Sequence, residues 1–167
     1  MPESRRRIAP LALSADTWEP FGWLPVSDTD PVDGSHSLSF EWSDPHVNAI
    51  SHARAEVPAI PGGLRCEMMF RHRTHTQVLM PLDNECVIAV ATPGFALDTA
   101  EAAGMVTAFL LEPLQAVVLH RGTWHWGPFP TIAAEVRLFN VQGLRYREDN
   151  EAVDLASHEM AVDILTG

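Results

Sequence analysis

The sequence predicts an all-β protein, a sandwich or barrel built from short strands. Short segments with apolar or alternating side chains follow one another through the second half of the chain, and no helical pattern separates them. Turn signals rich in Pro, Gly, Asp and Asn divide these segments. Hydrophobic residues make up 46% of the 167 residues and charged residues 20%, which is enough apolar material for a sizeable core.

The length fits one domain, and we expect residues 1–167 to fold as a single unit in which residues 1–10 form a flexible tail. No long apolar stretch follows the three arginines of this tail, so the sequence predicts neither a signal peptide nor a membrane span there. Cys66 and Cys86 are too few for a disulfide framework. We interpret both as buried apolar residues of a cytoplasmic protein.

The charge balance excludes several functions. All 11 basic residues are Arg, and 22 acidic residues give a formal net charge of -11. Without Lys the chain cannot form a lysine Schiff base or a P-loop. The negative charge argues against nucleic acid and against an anionic membrane surface as partners. A small anionic substrate is compatible with it, because one or two buried Arg can hold a carboxylate.

The first predicted element is one short helical turn within residues 13–22. Ser14 is a suitable N-cap, and a Pro and a Gly at the other end stop the helix. Trp18 and Phe21 are three residues apart, so both side chains can face the core.

Strands follow this helix. Alternating apolar residues predict one strand at 37–42, and a period of two predicts a half-buried strand at 64–73. Further predicted strands cover residues 77–82, 85–92, 105–111, 115–120 and 133–141. Residues 151–165 fit either a helix or a strand with helical turns.

Three histidines have informative positions. If the row from Leu64 to Phe70 points inward, His72 at the end of the same strand also points inward. His120 ends another predicted strand, and His125 follows it after a turn. The remaining histidines lie in predicted loops, turns or the tail, where we expect surface residues: His36, His46, His52, His75 and His158.

The two strand ends predict a small-molecule site. Gln77 follows His72 across a turn, as His125 follows His120. If both pairs open into one barrel mouth, they form a polar site within an aromatic pocket. The aromatic residues of this pocket are Phe70, Trp124 and Trp126. Neutral His and Gln can ligate a metal, and His can act as a general base without one, whereas a lone His at a strand end more often belongs to a hydrogen-bonded scaffold.

Several polar residues near this site allow two interpretations. By strand parity Arg71 and Arg73 point away from it, so we expect them at the solvent or at an interface. Arg121 lies near the predicted mouth and either holds an anion or is an exposed turn residue. Asn140 and Arg137 lie on opposite faces of one predicted strand, and the sequence does not decide which face looks inward.

Two short motifs resemble those of the cupin family. Residues 120–125 (His-Arg-Gly-Thr-Trp-His) resemble the second cupin motif, whose core is Pro-x-Gly-x-x-His, with a His in place of Pro. His72 and Gln77 resemble the second His and the Glu of the first motif, and Phe70 stands at its first His. The resemblance reduces the usual metal set of three His and one Glu to His72, Gln77 and His125.

The wider pattern resembles one branch of cupins, the ureidoglycolate lyases. The resemblance extends over about residues 11 to 155 and is carried by Leu13-Ser14 with Trp18 and Phe21-Gly22, Arg71-His72 with Thr76-Gln77, Ala108-Phe109, and residues 120–125. Phe70 stands where this family tends to have Glu. Residues 141–143 (Val-Gln-Gly) stand where it has Asp-Arg-Gly.

The resemblance implies a cupin-type jelly-roll, or double-stranded β-helix, barrel with a short N-terminal helix, assembled as a homodimer. It implies a carbon–nitrogen lyase of purine nitrogen catabolism that cleaves ureidoglycolate to glyoxylate and urea. This reaction requires no redox cofactor, and either no cofactor or a divalent metal is expected. Two other classes stay open: a metal-dependent cupin enzyme acting on another small carboxylic acid, such as an isomerase or dioxygenase, and a non-catalytic cupin that binds a small ligand.

The resemblance and the spacing together give a set of candidate site residues. The candidate acid/base residues are His72, His120 and His125. The candidate substrate-binding residues are Gln77, Arg121, Trp124, Phe70 and Asn140. The candidate metal ligands are His72, Gln77 and His125.

Overall fold

The computed structural model describes residues 5–25 and 36–167, which are mostly β-strands. The strands are β1 (Arg7–Ile8), β2 (Gly22–Trp23), β3 (Pro45–Ala53), β4 (Ala59–Ile60), β5 (Gly63–Cys66), β6 (Met68–His72), β7 (Gln77–Pro81), β8 (Cys86–Ala91), β9 (Thr107–Leu111), β10 (Val117–Leu119), β11 (Trp124–Pro130), β12 (Glu135–Gly143), β13 (Asn150–Asp154) and β14 (Val162–Leu165). The helices are α1 (Ala15–Trp18) and α2 (Ala100–Ala103), with 3-10 turns at Arg54–Glu56 and Tyr146–Glu148. Neither helix is long or apolar enough to cross a membrane.

The strands form three sheets. Two five-stranded sheets have the orders β2-β10-β7-β12-β3 and β13-β6-β11-β8-β9, and a four-stranded sheet has the order β1-β14-β5-β4. We call these the front, middle and back sheets, in that order. Apolar clusters join the front sheet to the middle one and the middle sheet to the back one, so the three sheets stack as layers. The predicted all-β, cupin-like class is confirmed.

The cluster between the front and middle sheets fills one part of the space between them. It comprises Trp18, Phe21, Leu79, Cys86, Ile88, Val90, Phe109, Leu111, Val117, Leu119, Val136 and Leu138. The cluster between the middle and back sheets includes Leu64, Cys66, Met69, Trp124 and Val162. Both cysteines are buried and free, as predicted.

The predicted N-terminal helical turn is confirmed as α1. The Ser14 hydroxyl accepts a hydrogen bond from the Thr17 amide, and the Ser14 amide donates one to the Thr17 hydroxyl, which forms a capping box. Trp18 is fully buried, and its indole Nε1 donates to the Val118 carbonyl at 3.0 Å. Its ring packs edge-on against Phe109 at 5.1 Å, so α1 closes the front core.

The predicted strand at 64–73 is two strands, β5 in the back sheet and β6 in the middle sheet. Glu67 lies between them, and the alternation of side chains changes phase there. Cys66 and Met69, three residues apart, both lie in the back core, with their sulfur atoms 3.6 Å apart. The row Met68, Phe70 and His72 therefore points to the opposite side from Leu64 and Cys66. The prediction that all five share one face is wrong.

The predicted strands at 77–82, 85–92, 105–111, 115–120 and 133–141 are confirmed as β7, β8, β9, β10 and β12. The predicted strand at 37–42 is not formed, and only an isolated bridge joins Phe40 to His75. The segment 151–165, for which the sequence left helix or strand undecided, contains most of β13 and all of β14.

Part of the predicted N-terminal tail is ordered, because β1 pairs in parallel with β14. Residues 1–4 of that tail lie outside the described residues.

Sequence reasoning missed β3 and β11. β3 is an edge strand with alternating exposed and half-buried residues, and it has few large apolar side chains. β11 contains Gly127, Pro128 and Pro130, which are turn signals in the sequence. A register shift between Trp126 and Phe129 accommodates them within the pairing to β8.

We predict that Leu138→Ala lowers the free energy of unfolding by about 2–5 kcal/mol, because it leaves a cavity in the front core. Leu138 is fully buried there. Urea denaturation of both proteins measures the change. Leu114→Ala is the matched control, because Leu114 is 68% exposed. Equal losses in the two variants would contradict the assignment of Leu138 to the core.

Candidate functional site

A cavity of about 550 Å³ lies between the front and middle sheets, beside the front core. Residues of β3, β6, β7, β11 and β12 line it, together with residues 56–58, Arg65, Glu67, Tyr146 and Asn150. Its volume falls in the range of small-ligand pockets. We call it the inter-sheet cavity.

The inter-sheet cavity has two chemically different ends. Its histidine end is formed by His72, His125, Gln77 and Gln142, and its charged end by Glu56, Arg65 and Glu67. His72 ends β6, whereas Glu67 precedes that strand. At about 3.3 Å per residue, the length of β6 separates the two ends by more than about 13 Å. Phe70 and Leu79 line the wall between them.

Three imidazole rings pack together at the histidine end. The ring of His72 stacks on that of His75, with centroids 4.6 Å apart and planes within 22°. The ring of His125 lies 5.5 Å from that of His72. All three side chains are buried. Tyr146 lies edge-on to His72 at 6.3 Å and completes this wall.

Burial keeps these imidazoles neutral. It lowers the pKa of His72 to about 2 and the pKa of His125 to about 4, and it also lowers the pKa of His75. Positive charge on neighbouring rings lowers the pKa of His72 and of His125 further. A neutral imidazole has one nitrogen lone pair that can accept a proton or bind a metal.

Backbone carbonyls select the tautomers of two of these rings. His75 Nδ1 lies 3.1 Å from the Thr76 carbonyl, and His125 Nδ1 lies 3.2 Å from the Thr123 carbonyl. A carbonyl oxygen can only accept, so each Nδ1 carries the proton and each Nε2 has the lone pair. Nε2 of His75 and Nδ1 of His72 are buried and have no hydrogen-bond partner among the described residues.

A chain of amides holds Gln77. Its Nε2 donates to Asn140 Oδ1 at 2.8 Å, and Asn140 Nδ2 donates to Asn48 Oδ1 at 2.8 Å. Gln77 Oε1 is left buried and has no partner among residues 5–25 and 36–167. The inward face of β12 is thus that of Asn140. Asn140 itself is fully buried and does not line the cavity, so it positions Gln77 instead of forming the predicted substrate contact.

Arg71 is buried, which corrects the prediction that it faces solvent or an interface. Its guanidinium makes two hydrogen bonds to the Glu151 carboxylate, at 2.8 and 2.9 Å, and lies 4.2 Å from the centroid of the Trp124 ring. Arg71 and Arg73 together lower the pKa of Glu151 to about 2. Arg73 itself is exposed, as predicted.

Trp124 does not line the inter-sheet cavity, contrary to its predicted contact with substrate. Its ring lies in the back core, and its Nε1 donates to the Phe95 carbonyl at 2.8 Å. The next residues along β11, His125 and Trp126, do line the cavity. Strand alternation explains why Trp124 and His125 face opposite sides.

His120 and Arg121 also lie outside the inter-sheet cavity, so the predicted single mouth is wrong for them. They line a separate outer cleft with Trp23 and Arg73. His120 follows β10 in the front sheet, whereas His125 belongs to β11 in the middle sheet. Arg121 forms an exposed ion pair with Glu41 at 3.2 Å.

Sequence reasoning missed the role of His75. The turn before β7 folds His75 inward, so the residue is only 2% exposed and its ring lies between those of His72 and Phe40. Gly143 makes room for it, because a Cβ there would lie 2.7 Å from Cδ2 of His75. One sequence signal could have identified His75. It is a second histidine close to His72, and it lies in a turn before a buried strand, where a side chain can point inward. His52, another predicted surface residue, lines the cavity from β3.

The predicted metal set is compatible with this geometry. His72, Gln77 and His125 all line the histidine end, and two of their polar atoms are buried without a partner among the described residues. Neutral imidazole nitrogens and an amide oxygen suit a divalent ion such as zinc or manganese. Phe70, at the position of the missing cupin His, lines the cavity beside them.

Comparisons with known proteins show which family the chain is similar to. The family model described as ureidoglycolate lyase matches residues 5–163. A ureidoglycolate lyase of Pseudomonas paraeruginosa is 34% identical over 143 residues, which cover 78% of this chain and 78% of that protein. One from Pseudomonas fluorescens is 32% identical over 137 residues, which cover 75% of this chain and 76% of that protein.

A similarity among solved structures is weak. Peruvianin-I, a cysteine peptidase from Thevetia peruviana latex, is 9% identical and aligns with a TM-score of 0.43 over 66% of this chain and 56% of its own. This value carries no argument about fold or function.

We predict that acid destabilises the metal-free protein partly through His125. Its pKa is about 4 in the folded protein, against 6.5 for an unperturbed histidine. Between these values the unfolded chain binds a proton that the folded protein excludes, so stability falls as pH decreases. His125→Gln removes this site and should reduce the pH slope of unfolding free energy by up to about 1.4 kcal/mol per pH unit.

Urea denaturation at several values between pH 4 and pH 7, in the presence of a chelator, measures this slope. His158→Gln is the control, because His158 is exposed and should leave the slope unchanged. Identical slopes for His125→Gln and the unsubstituted protein would show that His125 is not buried in its neutral form.

Proposed function

Because the chain belongs to the ureidoglycolate lyase family, we propose that it is a carbon–nitrogen lyase that cleaves ureidoglycolate to glyoxylate and urea. The single observation that carries this proposal is the family match over residues 5–163, which includes every residue lining the inter-sheet cavity. The histidine end offers proton acceptors and polar groups beside an apolar wall, which suits a small polar substrate.

The reaction reverses the addition of urea to an aldehyde. A base removes the proton of the substrate hydroxyl, and the electron pair of that oxygen forms the carbonyl of glyoxylate. The carbon–nitrogen bond breaks, and the departing urea nitrogen takes up a proton from an acid. The atoms and charges balance without an oxidant or a reductant.

His125 is the proposed base and His72 its acid/base partner. The Nε2 lone pair of His125 is fixed by the bond from Nδ1 to the Thr123 carbonyl. The two rings are 5.5 Å apart, close enough for one substrate to contact both. A bound carboxylate raises the pKa of each ring, because negative charge stabilises an imidazolium. Substrate binding thus makes two weakly basic side chains better proton acceptors.

Gln77 and Phe70 are the proposed substrate contacts. Gln77 Oε1 is a free acceptor among the described residues and suits an N–H of the ureido group. Phe70 provides an apolar wall. A divalent ion held by His72, Gln77 and His125, as the cupin resemblance implies, would polarise the forming aldehyde oxygen.

A second function is favoured by one observation. Phe70 and Gln142 line the cavity where the family pattern has a carboxylate and a guanidinium. An enzyme acting on a different small carboxylic acid, with the same cavity, would explain both differences. Glyoxylate release from ureidoglycolate, compared with turnover of other small ureido and hydroxy acids, separates the two functions. Binding of such an acid without turnover would indicate a non-catalytic cupin.

We propose further that residues 1–167 act as one domain and assemble as a homodimer in the cytoplasm. The edge position of β3 supports the dimer, because its nine residues leave one row of backbone groups available for pairing. Light scattering coupled to size exclusion tests this, with twice the chain mass expected. Fluorescence of a tagged chain in cells tests the location.

We predict that His125→Ala lowers kcat/KM for glyoxylate release by at least about 100-fold, because it removes the proposed base. The assay measures glyoxylate from ureidoglycolate with and without a chelator. His158→Ala is the control, since His158 is exposed and does not line the cavity. Full activity of a folded His125→Ala variant would rule out His125 as the base.

A further inference from the structure

We propose that His72, His75 and Asp149 form a binding site for a divalent transition-metal ion. Two of these residues differ from the set that the cupin resemblance implies, because only His72 is shared. The site lies beside the histidine end of the inter-sheet cavity, which His72 lines, between β6, the turn before β7 and the segment before β13. It is independent of which substrate the protein acts on.

The ligand atoms are already close together. One nitrogen from each His and one carboxylate oxygen of Asp149 lie within 4.8 Å of one another. Ligands at about 2.0–2.2 Å from a single ion are about 3–4 Å apart, so small side-chain rotations bring these atoms into place. The stacked rings of His72 and His75 must tilt for their lone pairs to converge.

One ring nitrogen of His72 and one of His75 have no hydrogen-bond partner among the described residues, and a metal ion could bind both. Nδ1 of His72 and Nε2 of His75 are buried atoms without a hydrogen-bond partner among the described residues. As whole residues, His72 is 7% exposed and His75 is 2% exposed. Leaving a buried polar atom unpaired is unfavourable, and a native structure usually satisfies it. An ion between the two rings satisfies both atoms together.

The remaining atoms of these residues are held as they are in metal sites. His75 Nδ1 donates to the Thr76 carbonyl, and metal-binding histidines commonly donate their second ring nitrogen in this way. Asp149 Oδ2 accepts from both the amide and the hydroxyl of Thr74, each at 2.6 Å. These bonds orient the carboxylate and leave Oδ1 available for an ion.

The donor set selects the kind of ion. Two neutral imidazole nitrogens and one carboxylate oxygen suit zinc, nickel or ferrous iron. Magnesium prefers oxygen ligands, so it should bind poorly here. The net ligand charge of −1 leaves a bound divalent ion with excess positive charge. Such an ion would attract an anionic ligand at an end of the cavity that has neutral imidazoles.

The proposal predicts a specific loss of zinc affinity. Protein stripped with a chelator and titrated with Zn²⁺ in a calorimeter should bind one ion per chain, and Mg²⁺ should give no comparable binding. His75→Gln and Asp149→Asn should each weaken Zn²⁺ binding at least about tenfold. Asp149→Asn retains an oxygen that can accept the bonds from Thr74, so the local fold is preserved.

Two control variants separate this ligand set from the alternatives. His158→Gln should bind Zn²⁺ as the unsubstituted protein does, because its side chain is exposed. If His125→Gln weakens binding while His75→Gln does not, the ion uses the set implied by the cupin resemblance and the proposal is overturned. Equal binding by all variants would show that Zn²⁺ associates with the acidic surface.

The proposed ligands can also be tested in the unsubstituted protein, so that the test does not depend on whether a variant folds. In ¹⁵N-resolved imidazole spectra, Zn²⁺ should shift the His72 and His75 ring signals before those of other histidines. Shifts confined to exposed rings would overturn the proposal. Zinc binding by a protein that releases no glyoxylate would disprove the lyase function and leave this site intact.

Discussion

The inter-sheet cavity depends on a change from apolar to amide side chains along two neighbouring strands. On β12, Leu138 belongs to the front core, whereas Asn140 and Gln142 follow it on the same face. On β7, Leu79 contacts the core and Gln77 faces the cavity. Apolar side chains close the sheets together at one end of these strands. At the other end, amides of the front sheet hydrogen-bond to one another, and the inter-sheet cavity opens beside them.

This constraint explains why the histidines are neutral. The same packing that gives the sandwich its stability surrounds His72, His75 and His125 with other rings and with uncharged amides. Asp149 is the carboxylate beside His72 and His75, and burial outweighs its effect on the pKa of His75. Arg71 is turned to the other side of the middle sheet, where Glu151 and the Trp124 ring hold it. The site therefore works with lone pairs and hydrogen bonds, and any strong positive charge must come from a ligand.

Much of the fold could be predicted from the sequence. Apolar or alternating segments bounded by turn signals identified β7, β8, β9, β10 and β12. The phase change at Glu67 could not be predicted, because Met68 and Met69 are both apolar and fit either face. β3 was not predicted because this edge strand has few large apolar side chains. β11 was not predicted because its prolines are typical of turns.

The candidate site was predicted in part. His72, Gln77, His125 and Phe70 all line one cavity, and the two short motifs, not the alternation that begins at Leu64, grouped them. His120 was misplaced, because spacing along the chain does not reveal that it and His125 belong to different sheets. The remaining errors have the same origin. Contacts across sheets, such as those of Trp124 and Asn140, depend on pairing that no single segment encodes.

The charged end has a consequence for the way an anion reaches the histidines. Glu56 and Glu67 line it, and the guanidinium of Arg65 is already bound to Asp163 at 2.7 Å. Together with the net charge of -11, these carboxylates repel an approaching carboxylate. Added salt screens this repulsion over distances of about 10 Å at 0.1 M ionic strength. Association of an anionic substrate should therefore become faster as ionic strength rises, the reverse of enzymes whose positive surfaces attract their substrates.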